Sequence, residues 1–494
     1  MKPYSTEKNI LVTEQTLTAY KRMIFSIPVA NRRKTCDKRK YYSSIAYFLQ
    51  HLICSSTVSR NTKKRSRFKG DKEWTYSVPF PHELGIDVAP EVFKQSRDLP
   101  FDRALEELEK AGVIKIIEKD YSARKCREFS LSKIFLTQLF PEERGEYLSR
   151  DDRYTYLTDI YNRRRCVKKL NDILKDNGCN KKVKNRTSGR DVKESSFRDI
   201  LKEVYSSLDY ISINIDALMS YCNQSPTPIN MGYYYNFISH LSSVGTQIIS
   251  LNPLIVRYKQ AYKSAKLGGR SFEVGTGYQY LPSNMKKACL ASSYNYDIKS
   301  CQLEILRHEF NKIGISDKYL KRLDTSYIIK KLKVEEKYAK EIRFATIFNG
   351  GDVSLSIKAS MFKRLNNILG EENSRTVLER WRVLMKPLRK DLIKLINYYR
   401  STGKINRYGL CVRNAVGQNF NCTYKSSGVK RQPQQMRRKL LAHMIQGLES
   451  RAVYDYVRTH SGVCALEHDG FVSNRKLDIK SEWQHPYLKL VQKY

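Results

Sequence analysis

Asp297 and Asp469 each stand where a short apolar-aromatic strand should end, in Tyr296-Asp297-Ile298-Lys299-Ser300-Cys301-Gln302-Leu303-Glu304 and Glu467-His468-Asp469-Gly470-Phe471. Two carboxylates from separate strands are what a nucleotidyl transferase needs to hold magnesium against a triphosphate. Hard divalent cations prefer carboxylate and phosphate oxygens, and a strand end fixes the carboxylate rigidly. Taken singly, each aspartate has a plainer reading: Asp297 as a helix cap, Asp469 as half of an Asp-Gly hairpin turn. Between them Lys340, Phe344 and Phe348 recur at i, i+4 and i+8, which sets one cation and two rings on one helix face ahead of Asn349-Gly350-Gly351. In a plain helix that stripe is core packing with a snorkelling lysine. Beside a triphosphate it would supply charge neutralisation and stacking.

Those residues need a small sheet with helices inserted between its strands. The spacing predicts a strand at residues 294–298, a helix over 300–310 and three more helices between about 330 and 400. It then predicts a hairpin over 403–420, a long helix from about 434 to 458 and a second hairpin over 463–473. Strands and helices in this order read as an α+β domain.

Upstream, helical spacing through Ile45, Phe48, Leu49 and Leu52 marks one apolar face. A helix over 101–111 is stopped by Gly112 and followed by strands over 113–117 and 126–131. Helix, strand, basic turn, strand is the layout of a winged helix, whose turn here carries Arg124 and Lys125 as candidate DNA contacts. Residues 150 to 200 form a basic stretch, including Arg163, Arg164, Arg165, Lys181, Lys182, Lys184, Arg186 and Arg190, readable as a solvated linker or as a phosphate-binding segment. Residues 195 to 255 read as helical. The predicted domains are therefore 1–145, a winged-helix-like nucleic-acid-binding domain; 146–254, a basic linker and helical thumb-like region; and 255–494.

Lys and Arg number 90 against 50 Asp and Glu, a formal net charge of +40. A field of that size attracts polyanions, which makes nucleic acid the expected partner. Eleven cysteines occur with no C-x-x-C pair, which excludes a paired zinc site and suits a reducing cytosol. No run approaches the ~18 apolar residues of a membrane span, and the N-terminus lacks a signal-peptide core. The sequence predicts a soluble, cytoplasmic protein with no membrane partner.

The two aspartate strings and the lysine helix, in this order, resemble motifs A, C and B of the family A polymerases, the superfamily of DNA polymerase I type enzymes and single-subunit phage-type RNA polymerases. Gly269-Arg270 with Gln279 resembles the family's segment lining the template-primer hybrid. Arg438 with Gln446-Gly447 resembles the palm helix facing the primer-template minor groove. The resemblance implies a right-hand polymerase: a palm with a small antiparallel sheet and helical fingers and thumb, spanning 255–494 behind the winged-helix-like domain. It implies two magnesium ions, with manganese able to substitute, held by Asp297 and Asp469. Lys340 would meet the triphosphate, and Phe344, Phe348 and His468 would belong to the nucleotide site.

Three positions depart from the family. Gly470 replaces its Glu or Ser after the second aspartate, Glu336 stands where it has arginine, and Phe348 where it has tyrosine. The residue screening the sugar 2′-hydroxyl is Gln302 by an unbroken count or Glu304 if two residues are inserted. Both are bulky, which favours deoxynucleotides. The expected function is a DNA polymerase acting on a DNA template and primer with nucleoside triphosphates. No exonuclease-like segment is seen, and by analogy it would replicate a mobile element in a bacterial or virus-infected cell. The alternatives are a single-subunit RNA polymerase and a non-enzymatic DNA-binding replication initiator.

Overall fold

Aromatic residues from distant segments build the first core. Phe48, on the helix Thr35–Val58, packs against Phe80, Phe93 and Phe129 with ring centroids 5.2, 5.5 and 5.2 Å away. Phe80 and Phe129 lie on Val78–Phe80 and Arg127–Leu131, two strands of an antiparallel sheet completed by Ile114–Glu118. The helix before the last two strands of that sheet runs Arg103–Lys110. The expected order of helix, strand and strand is present.

This computed structural model describes residues 10–28, 35–58, 68, 70–93, 103–118, 126–140, 148–162, 167–178, 195–357, 359–406, 409–422, 425–426, 429–430 and 433–494. Arg124 and Lys125 lie outside the described residues, as does most of the basic run between 163 and 190. Contacts divide the chain into two compact units. The first comprises Met1–Lys184, Tyr210–Gln260 and Glu273–Ser292; the second comprises Asn185–Asp209, Ala261–Phe272 and Ser293–Tyr494.

Residues 195 to 255 are not helical throughout, as the spacing suggested. Besides three helices they carry the strands Ile211–Asn214, Gln247–Leu251 and Leu254–Tyr258, joined as one antiparallel sheet. The strands are four or five residues long, and Gln247–Leu251 has no fully buried residue. Their period-2 signal is too brief to stand out from the longer apolar runs of the flanking helices.

The second unit is built on a four-stranded antiparallel sheet: β1 (Tyr294–Ile298), β2 (Val463–Leu466), β3 (Gly470–Ser473) and β4 (Leu490–Gln492), in the order β2-β3-β1-β4. Inserted after β1 are α1 (Cys301–Lys312), α2 (Glu336–Phe348), α3 (Glu371–Ser401) and α4 (Pro433–Thr459). Side chains alternate across β1. Tyr296 and Ile298 face the core, where Tyr296 meets Phe471 at 5.7 Å and Phe471 stacks on Tyr456 of α4 at 4.7 Å. Asp297 falls on the other face. The fully buried Trp381 of α3 donates its indole N–H to the Thr346 hydroxyl of α2 at 2.8 Å, which fixes those helices together.

Candidate active site

Helix α1 does not begin until Cys301, and its cap is Ser300 in a left-handed conformation (φ 50°). Asp297 is therefore a strand residue, not a helix cap. Asp469 is not half of an Asp-Gly turn either. Gly470 is already in β3, opposite Asp297, and the Glu467 N–H donates to the Gly470 carbonyl at 2.9 Å, so His468 and Asp469 form the tip. The Ile298 N–H stitches that tip to β1 by donating to the Asp469 carbonyl at 2.8 Å.

The same packing explains Gly470. A Cβ there would lie 2.0 Å from the Tyr296 carbonyl oxygen, so β1 leaves no room for any side chain. The missing Glu or Ser at this position is a consequence of how closely two backbones approach.

The Asp469 carboxylate lies near enough to Asp297 to raise it. Burial and then the Asp469 charge push the Asp297 carboxyl up to about 7, against the lowering pull of Lys493. Lys493 donates from Nζ to Asp297 Oδ2 at 3.3 Å. Two adjoining carboxylates of which one is driven toward its protonated form are a donor set that a hard divalent cation would relieve. Among the described residues no group of three or more His, Cys, Asp or Glu could hold a metal. Water and substrate phosphates would complete the coordination, as magnesium ordinarily accepts.

Beneath the pair lies a buried network. Glu449 of α4 is fully buried; Arg270 Nε donates to its Oε1 at 2.6 Å and Gln302 Nε2 to its Oε2 at 2.6 Å. Burial pushes Glu449 up to about 7; the Arg270 charge lowers it and the Asp469 charge raises it. Cys301, beside the same charges, has its thiol raised well above the usual range by burial and then by Glu449, which keeps it unreactive.

A carboxyl raised from 4.5 to about 7 on folding takes up a proton in that window, so its contribution to stability is full below 4.5 and lost as pH rises through 7. The melting temperature of Glu449→Gln should therefore gain on the wild type between pH 5 and pH 8. A gap that stays constant or moves the other way would show that Glu449 ionises freely.

The remaining predicted residues are distributed as follows. His468 packs edge-on against Phe272, with ring centroids 4.9 Å apart. Lys340 pairs with Glu336, one turn back on α2, at 2.6 Å and makes no ion pair with either aspartate. Phe344 is exposed and lies under Arg343, whereas Phe348 packs on the core. Glu304 stays at the surface of α1 and accepts from Arg307 at 2.6 Å. Gln302 is turned the other way, into α4, because the first turn of α1 presents that position to the core.

Arg270 and Gln446 are brought together. Gly268 takes a positive φ, and a Cβ on it would lie 2.3 Å from Gln446 Oε1, so the Gly268-Gly269-Arg270 segment lies directly on α4. His443 of α4 joins them by accepting the Gly268 N–H at Nδ1 (3.1 Å), and burial lowers it to about 4. Arg438 lies on α4 with its Nε buried and unpartnered. Gln279 belongs to the first unit, where it is buried with its Oε1 accepting the Glu273 N–H at 2.8 Å.

Sequence reasoning missed Glu449 and Lys493. Glu449 follows Gln446 by three residues on one helix face, a spacing that could have drawn attention to it. Lys493 carried no local signal.

No family model matches this chain, and no curated protein matches it. Among solved structures it is similar to the POL domain of Pol1 from M. smegmatis, in complex with a DNA primer-template and dNTP. That match covers 65% of this chain and 65% of the other, at 12% sequence identity and a TM-score of 0.34. A likeness this distant leaves the functional reading to rest on the chain's own residues.

Proposed function

We propose that this chain is a template-directed nucleic acid polymerase that extends a primer with deoxynucleoside triphosphates. The observation that carries the reading is the meeting of Asp297, on β1, with Asp469, at the β2–β3 tip that the Ile298 N–H ties to β1 at 2.8 Å. Bound there, two magnesium ions would lower the pKa of a primer 3′-hydroxyl and offset the charge of the triphosphate.

The chain's own residues do the positioning. Asp297 on β1 and Asp469 at the adjoining tip would hold the ions, and Gln302 and Arg270 fix Glu449 of α4 close to Asp469. Lys340 neutralises the departing pyrophosphate; its exposed pair with Glu336 is a weak tie that a polyphosphate displaces. Phe344 and Phe348 stack on the incoming base or the template. Of the two candidates for screening the sugar, Glu304 is favoured, since Gln302 is committed to Glu449.

Extension of one primed DNA template in magnesium, with deoxynucleotides against ribonucleotides, tests the reading. Template-directed extension with deoxynucleotides is expected. No extension with either would refute the polymerase, and preferential ribonucleotide use would reverse the choice of sugar. Glu304→Ala should lower the preference for deoxynucleotides by about 10- to 200-fold, the range that one pocket contact commands. An unchanged preference would return the role to another residue.

A further inference from the structure

Lys493 reaches Asp297 from a backbone held just past the end of β4. β4 pairs with the edge of β1 opposite β3, with Val491 facing Asp297. The Lys493 N–H donates to the Asn295 carbonyl at 2.8 Å, and the Asn295 N–H donates to the Tyr494 carbonyl at 2.9 Å. Alternation along β4 then directs Lys493 to the face of Asp297, where Nζ meets Oδ2 at 3.3 Å. Its backbone is held, but its side chain is 49% exposed and unbranched, so it can withdraw from Asp297 without disturbing the sheet. Lys340 is engaged elsewhere, with Glu336.

We infer that Lys493 is the resident counter-cation of this site: it neutralises Asp297 when no divalent ion is bound and is displaced when one binds. The inference rests on the proposal that Asp297 and Asp469 hold metal. An ammonium and a divalent cation compete for the same carboxylate oxygen, because side by side they repel. In the metal-free protein the lysine therefore relieves the crowding of two carboxylates, at the expense of metal affinity.

The test is manganese binding by the full chain without nucleotide or DNA, read from the loss of the free-ion paramagnetic resonance signal. Lys493→Met should bind about 2- to 5-fold more tightly than the wild type, the scale of one partly exposed ion pair. Lys493→Arg should stay near the wild type, since it keeps the competing charge. Asp297→Asn should lose the tight site. Wild-type or weaker binding by Lys493→Met, with Asp297→Asn still losing the ion, overturns the inference and leaves the metal site standing. Wild-type binding by Asp297→Asn removes the metal site and the inference with it. The side chain of Lys493 bonds only Asp297 among the described residues, so the methionine variant removes that contact alone.

Discussion

Asp297→Asn and Asp469→Asn should each lower primer extension by at least ~10³-fold, the scale on which removing a group that stabilises developing charge acts. An amide keeps the volume of the carboxylate but exchanges one acceptor oxygen for an N–H donor and offers no charge to a divalent ion. The folded state should not suffer. Burial and then the Asp469 charge raise the Asp297 carboxyl to about 7; removing one of the two carboxylates relieves both the buried charge and the repulsion, so the metal-free variants should melt at or above the wild-type temperature. Full extension activity in either variant would dismiss the pair as the reaction centre. Loss of activity together with a lowered melting temperature would point to a structural role instead.

Glu449→Ala should be the most damaging single change to stability in the second unit. It strips Arg270 and Gln302 of their common partner and leaves a guanidinium only 17% exposed without its counter-charge. Breaking a buried pair in this way costs ~3–5 kcal/mol, which for a unit of this size lowers the melting temperature by roughly 10 °C. The double replacement Arg270→Met with Glu449→Leu removes both charges and should recover most of that loss. If the double variant is as unstable as Glu449→Ala, the packing of α4 and not the ion pair is what Glu449 supports.

The parts of this site that are legible in the sequence are those set by local periodicity. The strand ending at Asp297, the helix that carries Lys340 and the hairpin that carries Asp469 each announce themselves within a dozen residues. What each aspartate does there is not local. Cap and turn were sound readings of their neighbours, and only the pairing of β3 with β1 sets them aside. Glu449 shows the limit more sharply. A glutamate on a helix reads as a surface residue until Arg270 and Gln302, from two other segments, are seen to close over it. Lys493 is the same case at the surface, since a lysine at a strand end means nothing without its neighbour across the sheet. The strands between 211 and 258 were lost for a different reason: they are short, and longer apolar helices flank them on both sides.

The way the second unit gathers its chain bears on how it could be inherited. The helix Ser195–Ser207 belongs to it, and so does Ala261–Phe272, although both are separated in sequence from the main block that begins at Ser293. Phe197, Leu201, Val204 and Tyr205 of that helix are buried in its core, and Tyr205 hydrogen-bonds Ser271 at 2.9 Å. A gene fragment cut at residue 255 would therefore encode the aspartates without the helix that closes their core. Recombination could not pass this unit between genes as a single cassette: the segments that interrupt it must travel and diverge together with it.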